Sequence, residues 1–293
     1  MKYKIVPPPK QGIVPNVGKL HIILTRYLYI KEEVMISLIV AIMEKNRDQA
    51  MFWAYELYWS GFQEEVFEYL MSVFAEMFEP LNPRLKPFLQ TQVDSWKQDR
   101  TKHWAIGSMV RNLADKSRMF NVDAFVLNIS PVLDSKIKDH RFYIELEAKD
   151  IRQYETICGE LSRLVLVKEC RFSTKKQYNN IFGSRHKDIC NKDILDASTM
   201  KWDYYASFSP LWKERIEQYN GRIDDDLNRI VFDDDDDQEE FYDQYGYEPD
   251  EQCLEILNKI THVKPIVQMS LREFCIKFGA TSHTLDHVND SSG

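Results

Sequence analysis

Apolar positions recur along the first third of the chain with the period of a helix that buries one face. Leu20, Ile23, Leu24, Tyr27 and Leu28 have helical spacing, with a strand as the alternative, and Val34, Met35, Leu38, Ile39, Ile42 and Met43 form a clear stripe. Asn46 follows as an N-cap with Gln49 in the capping-box position. Ser60-Gly61 ends that helix, because glycine can take the left-handed C′ conformation. Residues 50–59 between these caps are apolar all round, which predicts a helix buried on most sides. A third helix is predicted over residues 62–79, with Val66, Phe67, Leu70, Val73, Phe74, Met77 and Phe78 on one face and Pro80 as the stop. Leu85, Phe88, Leu89, Val93 and Trp96 mark a fourth, starting near Pro87, and Trp104, Val110 and Leu113 a fifth. Short connections predict antiparallel neighbours stacked as helical hairpins.

The pattern then changes. Residues 126–141 read as a linker, 150–167 as a helix, 171–192 as basic and weakly periodic, and 193–206 as another helix. Ser209-Pro210 is a strong helix start and Asn220-Gly221 a strong stop. Residues 222–224 and 229–232 can pair as a small hairpin, and an acidic run leads into a short helix closed by Gly246. Helices near 249–260 and 271–278 follow, the latter with a Ser270–Glu273 capping box. The expected fold is therefore mainly α: stacked antiparallel helical hairpins with a small β-hairpin in the C-terminal half. An extended N-terminal arm (1–19), a helical domain (20–125), the linker (126–141), a mainly helical domain (142–279) with an acidic segment (224–255), and a loose tail (280–293) make up the expected organisation. No repeat of fixed period is present, which argues against a regular solenoid.

Composition adds compartment and charge. The 44% hydrophobic and 13% aromatic content is ample for a core. No apolar run approaches the ~20 residues of a membrane span, and Met1-Lys2-Tyr3-Lys4 followed by Pro7-Pro8-Pro9 lacks the apolar stretch of a secretory signal. Five scattered cysteines fit free thiols in a reducing compartment, so the Asn128 sequon is expected to carry no glycan. The net charge of −8 hides strong segregation: ten acids against three bases in residues 31–79, +5 in residues 84–118, +6 in 163–192 and −14 in 224–255.

Nucleotide-binding and hydrolase motifs are absent: no Gly-x4-Gly-Lys-Ser/Thr, Gly-x-Gly-x-x-Gly, His-Glu-x-x-His or Gly-x-Ser-x-Gly occurs. Glu56 is the one acid in an apolar helix. Burial would raise such a carboxyl toward general-acid range, whereas a structural Glu pairs with an Arg or Lys of a neighbouring helix. The second reading is preferred. Cys170, His186 and Cys190, with Cys158 or His140, have the right chemistry for zinc but no Cys-x-x-Cys knuckle, and His283 and His287 lie in the tail, so no metal and no cofactor are expected. The run from Asp233 fails as a calcium loop, since Gln238 and Gln244 stand where Gly and Glu are needed. Asp233, Asp234, Asp235, Asp236, Asp237, Glu239 and Glu240 read either as a solvated loop or as a surface for a basic partner. Lys97, Arg100, Lys102, Trp104, Arg111, Lys116 and Arg118 combine bases with aromatic rings, as phosphate contact with base stacking requires, or form a solvated or internally paired face.

Three aromatic-rich blocks, at residues 52–62 (FWAYELYWSGF), 204–216 (YYASFSPLWKERI) and 239–252 (EEFYDQYGYEPDEQ), together resemble an uncharacterised protein family of nucleocytoplasmic large DNA viruses. The resemblance implies a giant-virus protein acting in the host cytoplasm at the viral factory, and brings no catalytic residues. The paired helices of residues 31–79 are also similar, at the level of fold, to helical scaffold domains of translation-initiation and clamp-loader type. The Tyr-x4-Leu-apolar motif by which initiation scaffolds hold a cap-binding subunit is missing. These readings converge on a non-enzymatic scaffold of a viral gene-expression complex, handling mRNA or acting in translation initiation. Its expected partners are other viral proteins and single-stranded RNA or DNA, with no membrane. A minor virion structural protein is the alternative.

Overall fold

A computed structural model describes residues 22–123, 143–152, 171–172, 201–245, 268–269 and 271–280. The arm, the linker, the helix near 249–260 and most of those near 150–167 and 193–206 lie outside these residues. So do the tail beyond residue 280 and every zinc candidate.

The described chain is mainly helical, as its periodicity predicts. Helix α1 (Lys31–Met43) and α2 (Arg47–Trp59) form the first hairpin across a three-residue turn. Asn46 caps α2, its Oδ1 accepting from the Gln49 amide at 3.2 Å. Only half of the capping box forms, because the Asn46 N–H already donates to the Ala41 carbonyl at 2.9 Å. Residues Ala50 to Tyr58 are all buried, so α2 is the central rod of the bundle. Helix α1 departs from its stripe: Lys31, Glu33 and Ser37 are buried along with the apolar positions. The Ser37 hydroxyl is accommodated by donating back to the Glu33 carbonyl at 2.7 Å.

Helix α3 (Gln63–Val73) continues as a wider π turn over Phe74–Phe78, where the predicted helix was regular. Pro80 ends the run, and the Asn82 side-chain amide closes the turn by donating to the carbonyls of Phe78 (2.9 Å) and Met119 (2.7 Å). Helix α4 (Leu85–Gln98) starts two residues ahead of Pro87, which fits inside a first turn where no N–H is needed. Helix α5 (Trp104–Leu113) packs on α2 and α4, and the large apolar residues of all five helices form one core.

A second core is built by α6 (Trp202–Ala206), α7 (Pro210–Gln218), a hairpin of β2 (Arg222–Asp224) and β3 (Arg229–Val231), and α8 (Asp235–Tyr245), around Trp202, Trp212 and Phe241. Ser209 caps α7 through its hydroxyl, 3.3 Å from the Trp212 amide, with Pro210 at N1 as the sequence requires. At the other end of α7 the left-handed residue is Asn220 (φ 55°). Gly221 is demanded instead by closeness: a Cβ there would stand 2.6 Å from Ile216 Cγ2.

Both cores draw on distant sequence. Residues 22–30 are not helical: they make a tight turn, closed by a Leu24–Ile30 bridge and a left-handed Leu28 (φ 62°). Ile22, Leu24, Leu28 and Ile30 enter the second core, while Phe274 and Cys275 of α9 (Leu271–Phe278) enter the first. Residues 143–152 also lie on the first bundle, where Asn112 exchanges two hydrogen bonds with the Ile144 backbone and Tyr143 stacks on Phe88 at 4.8 Å. The basic, weakly periodic region holds an unexpected strand, β1 (Arg171–Phe172), paired in parallel with β4 (Gln268–Met269). None of the helices among the described residues is long and apolar enough to cross a membrane.

Candidate functional sites

The junction of the two cores is organised by Glu56. Its carboxylate is fully buried; Oε2 accepts from Arg26 Nε at 2.8 Å and Oε1 from the Tyr27 amide at 3.0 Å. The cation comes from the 22–30 turn and not from a helix, so helix periodicity gave no pointer to it. One helical turn on, Ser60 Oγ accepts from the Arg26 amide at 2.8 Å and donates to the Glu56 carbonyl at 2.5 Å. Gly61 (φ 95°) then makes the approach of α7 possible: a Cβ would lie 2.5 Å from Pro210 Cβ. The Leu211 amide meets the Ser60 carbonyl at 3.3 Å, and Trp212 Nε1 reaches back to the Thr25 carbonyl at 3.2 Å. Both oxygens of Glu56 thus hold backbone and side chain in place, the structural role preferred from sequence.

The seven residues expected to contact nucleic acid do not share one surface. Lys97, Arg100, Lys102 and Trp104 gather at the α4–α5 turn. Lys97 and Arg100 are exposed, and the Arg100 guanidinium lies 3.8 Å over the Trp96 ring and 2.8 Å from Glu64. Lys102 Nζ donates to Ser95 Oγ at 3.2 Å, and Trp104 is half-buried against the core. Nearby, Trp59 and His103 rings sit 5.8 Å apart. Arg111, Lys116 and Arg118 belong to the opposite end of α5, a ten-residue helix and so about 15 Å away. There Arg111 is half-buried in an ion pair with Asp150, and Arg118, 3% exposed, is withdrawn from solvent. Only Lys116 of the three is exposed. Spacing along the chain could not show this, because Asp150 lies outside the α5 segment.

The acidic run begins α8. Asp234 Oδ1 accepts from the Asp237 amide at 2.8 Å, and Asp235, Asp236 and Asp237 occupy the first turn, where carboxylates complement the helix dipole. Phe241, Tyr242 and Tyr245 point into the aromatic core, so the acids line the outer face. Residues 222–245 hold eleven acids against Arg222 and Arg229. These two reach Asp233 (3.4 Å) and Asp224 (3.8 Å), while Asn220 donates to Asp237 at 2.9 Å. Asp235, Asp236, Glu239, Glu240 and Asp243 have no cationic partner among the described residues. Leu227, 52% exposed, sits at the hairpin tip beside Asp224, Asp225 and Asp226. Under this face, Asp203 accepts from the Tyr242 hydroxyl at 2.8 Å; burial pushes its carboxyl above the ordinary range, and the hydrogen bond opposes this.

Among the described residues there is no grouping of His, Cys, Asp and Glu fit to hold a metal ion. Cys275, the one cysteine described, is buried, which drives its thiol up to about 11, with Asp123 adding to the effect. The chain matches no family model, no curated protein and no solved structure.

Proposed function

We propose that this chain is a non-enzymatic helical scaffold of a viral gene-expression complex in the host cytoplasm, and that the outer face of α8 docks a basic protein partner. The observation that carries this is electrostatic conflict on a well-anchored helix. Beyond the first turn, Glu239 follows Asp235, Glu240 follows Asp236, and Asp243 follows Glu239, each four residues on, with no intervening cation. Like charges at that spacing repel by a few tenths of a kcal/mol per pair. A local rule broken with no offsetting cation among the described residues is met, in this reading, by a basic partner. The α4–α5 turn, with Lys97, Arg100, Lys102 and Trp104, is the second surface in this reading, open to single-stranded RNA or DNA.

The triple variant Glu239→Gln/Glu240→Gln/Asp243→Asn removes all three repulsive pairs and leaves the cap and first turn intact. It is expected to gain about 1 kcal/mol of stability and to lose a basic partner in affinity capture from infected cells. An unchanged partner set, or a less stable protein, refutes the assignment. Abundant recovery of the chain in purified virions would favour the alternative, a minor virion structural protein.

A further inference from the structure

Residues 143–147, neither helix nor strand, lie across α4 and α5 in the manner of a bound peptide. Ile144 and Leu146 are half-buried while Glu145 and Glu147 are exposed, the two-residue period of an extended chain. The grip on this backbone comes from Asn112 of α5, which is fully buried. Its Nδ2 donates to the Ile144 carbonyl at 2.8 Å, and its Oδ1 accepts from the Ile144 amide at 3.0 Å. Such a contact reads backbone and not side chains, so selectivity has to come from its neighbours. Tyr143 stacks on Phe88 of α4 with ring planes 11° apart. Gly107 of α5 leaves room for Leu146, since a Cβ there would stand 3.1 Å from Leu146 Cδ1. Arg111, one turn beyond Gly107, pairs with Asp150.

The segment leaves polar groups of this face unused. Asp150 Oδ2 serves two donors, Arg111 Nη1 and the Glu147 amide at 3.2 Å, the second of which starts a helical turn over residues 148–152. Arg111 Nε is buried and has no hydrogen-bond partner among the described residues. A carboxylate approaching side-on engages Nε as well. Gln92, 8% exposed, stands one turn from Phe88 on the same face of α4, and its Oε1 also lacks a donor among the described residues. Buried groups left unpaired are costly, so a ligand that engages them binds better than one that does not.

We infer that this face of α4 and α5 is a peptide-recognition groove, that residues 143–150 occupy it in cis, and that its ligand in trans is an extended acidic peptide of another protein. The ligand presents an aromatic ring to Phe88, a branched apolar side chain over Gly107 and a carboxylate to Arg111. Its acidity follows from the cis occupant, which carries Glu145, Glu147 and Asp150 against Lys149, and from the surplus of bases over residues 84–118. Cis occupancy makes the groove self-limiting: the apparent affinity for a ligand is scaled by the fraction of chains in which the segment has let go.

The probe is a fluorescein-labelled peptide of residues 143–152, with anisotropy read on the whole chain. Tyr143→Ser/Leu146→Ser weakens the cis segment and is expected to bind this peptide about tenfold more tightly than wild type does. Adding Arg111→Met to that variant, or Asp150→Asn to the peptide, is expected to weaken binding about tenfold. Equal affinity of the double variant and wild type, or indifference to Arg111, overturns the proposal. Loss of cooperative melting in the double variant also overturns it, because the segment would then be an integral part of the bundle. Hydrogen exchange on wild type needs no mutation: the Ile144 amide is expected to exchange about a hundredfold faster than the Val110 amide of α5. Equal protection of the two amides overturns the proposal. A concentration-dependent wild-type dimer, abolished by Tyr143→Ser/Leu146→Ser, would give the groove to a second copy and overturn its assignment to another protein.

Discussion

Replacing Glu56 by Gln probes the junction on which both cores rest. The substitution keeps the shape and an acceptor for the Tyr27 amide, and removes the counter-charge of Arg26, whose guanidinium also lies 4.4 Å over the Tyr27 ring. Breaking a buried ion pair from one side costs about 3–5 kcal/mol, because the remaining charge stays out of water. Retention of the amide contact puts Glu56→Gln near the lower end, at about 3 kcal/mol. Arg26→Met alone strands the carboxylate and costs about the same. The double variant has neither charge and retains the Tyr27 hydrogen bond, so about 2–3 kcal/mol should return as coupling between the two sites. Urea unfolding reads this directly: each single variant lowers the midpoint by about 1 M, and the double variant lowers it by little more than either single, where simple addition would give about 2 M. Single variants within about 1 kcal/mol of wild type, or costs that simply add, would refute the argument that this pair anchors the junction.

Two further outcomes test the same framework. Gly61→Ala combines a left-handed backbone with a Cβ 2.5 Å from Pro210, and is expected to lose about 2–3 kcal/mol in thermal or chemical unfolding; a neutral result would mean that α7 does not close on α2 this tightly. Glu76, on the π turn, is raised to about 7 by burial. Its native state holds the proton more tightly than the unfolded chain, so that stabilisation is complete below about pH 4.5 and is lost as pH rises through 7. Glu76→Gln should therefore match wild type in acid and exceed it at pH 8 by about 1 kcal/mol, the value being reduced because the side chain is partly solvated. A difference in melting temperature that stays constant with pH would exclude this carboxyl as the source.

What the sequence determined by itself is local. The cap at Asn46, the Ser209-Pro210 start, the Asn220-Gly221 stop and the 222–231 hairpin all formed where they were expected, because each rests on interactions among residues a few positions apart. The buried run from Ala50 to Tyr58 of α2 was legible for the same reason: side-chain periodicity fixes which positions share a face. Tertiary structure decided the rest. The spacing of residues 20–28 suits a helix, but Ile22, Leu24 and Leu28 gain more by closing the second core, and the segment turns instead. The partner of Glu56 lies 30 positions away in that turn, and the partner of Arg111 lies 39 positions along the chain. Charge counts gave residues 97–118 a uniform basic character, whereas folding placed α5 between its two ends, withdrew Arg118 and paired Arg111. The parallel β1–β4 pair joins two-residue strands that carry too little periodicity to be noticed alone. Electrostatic pairing and desolvation depend on distances in space, and those exist only after the chain has closed its cores.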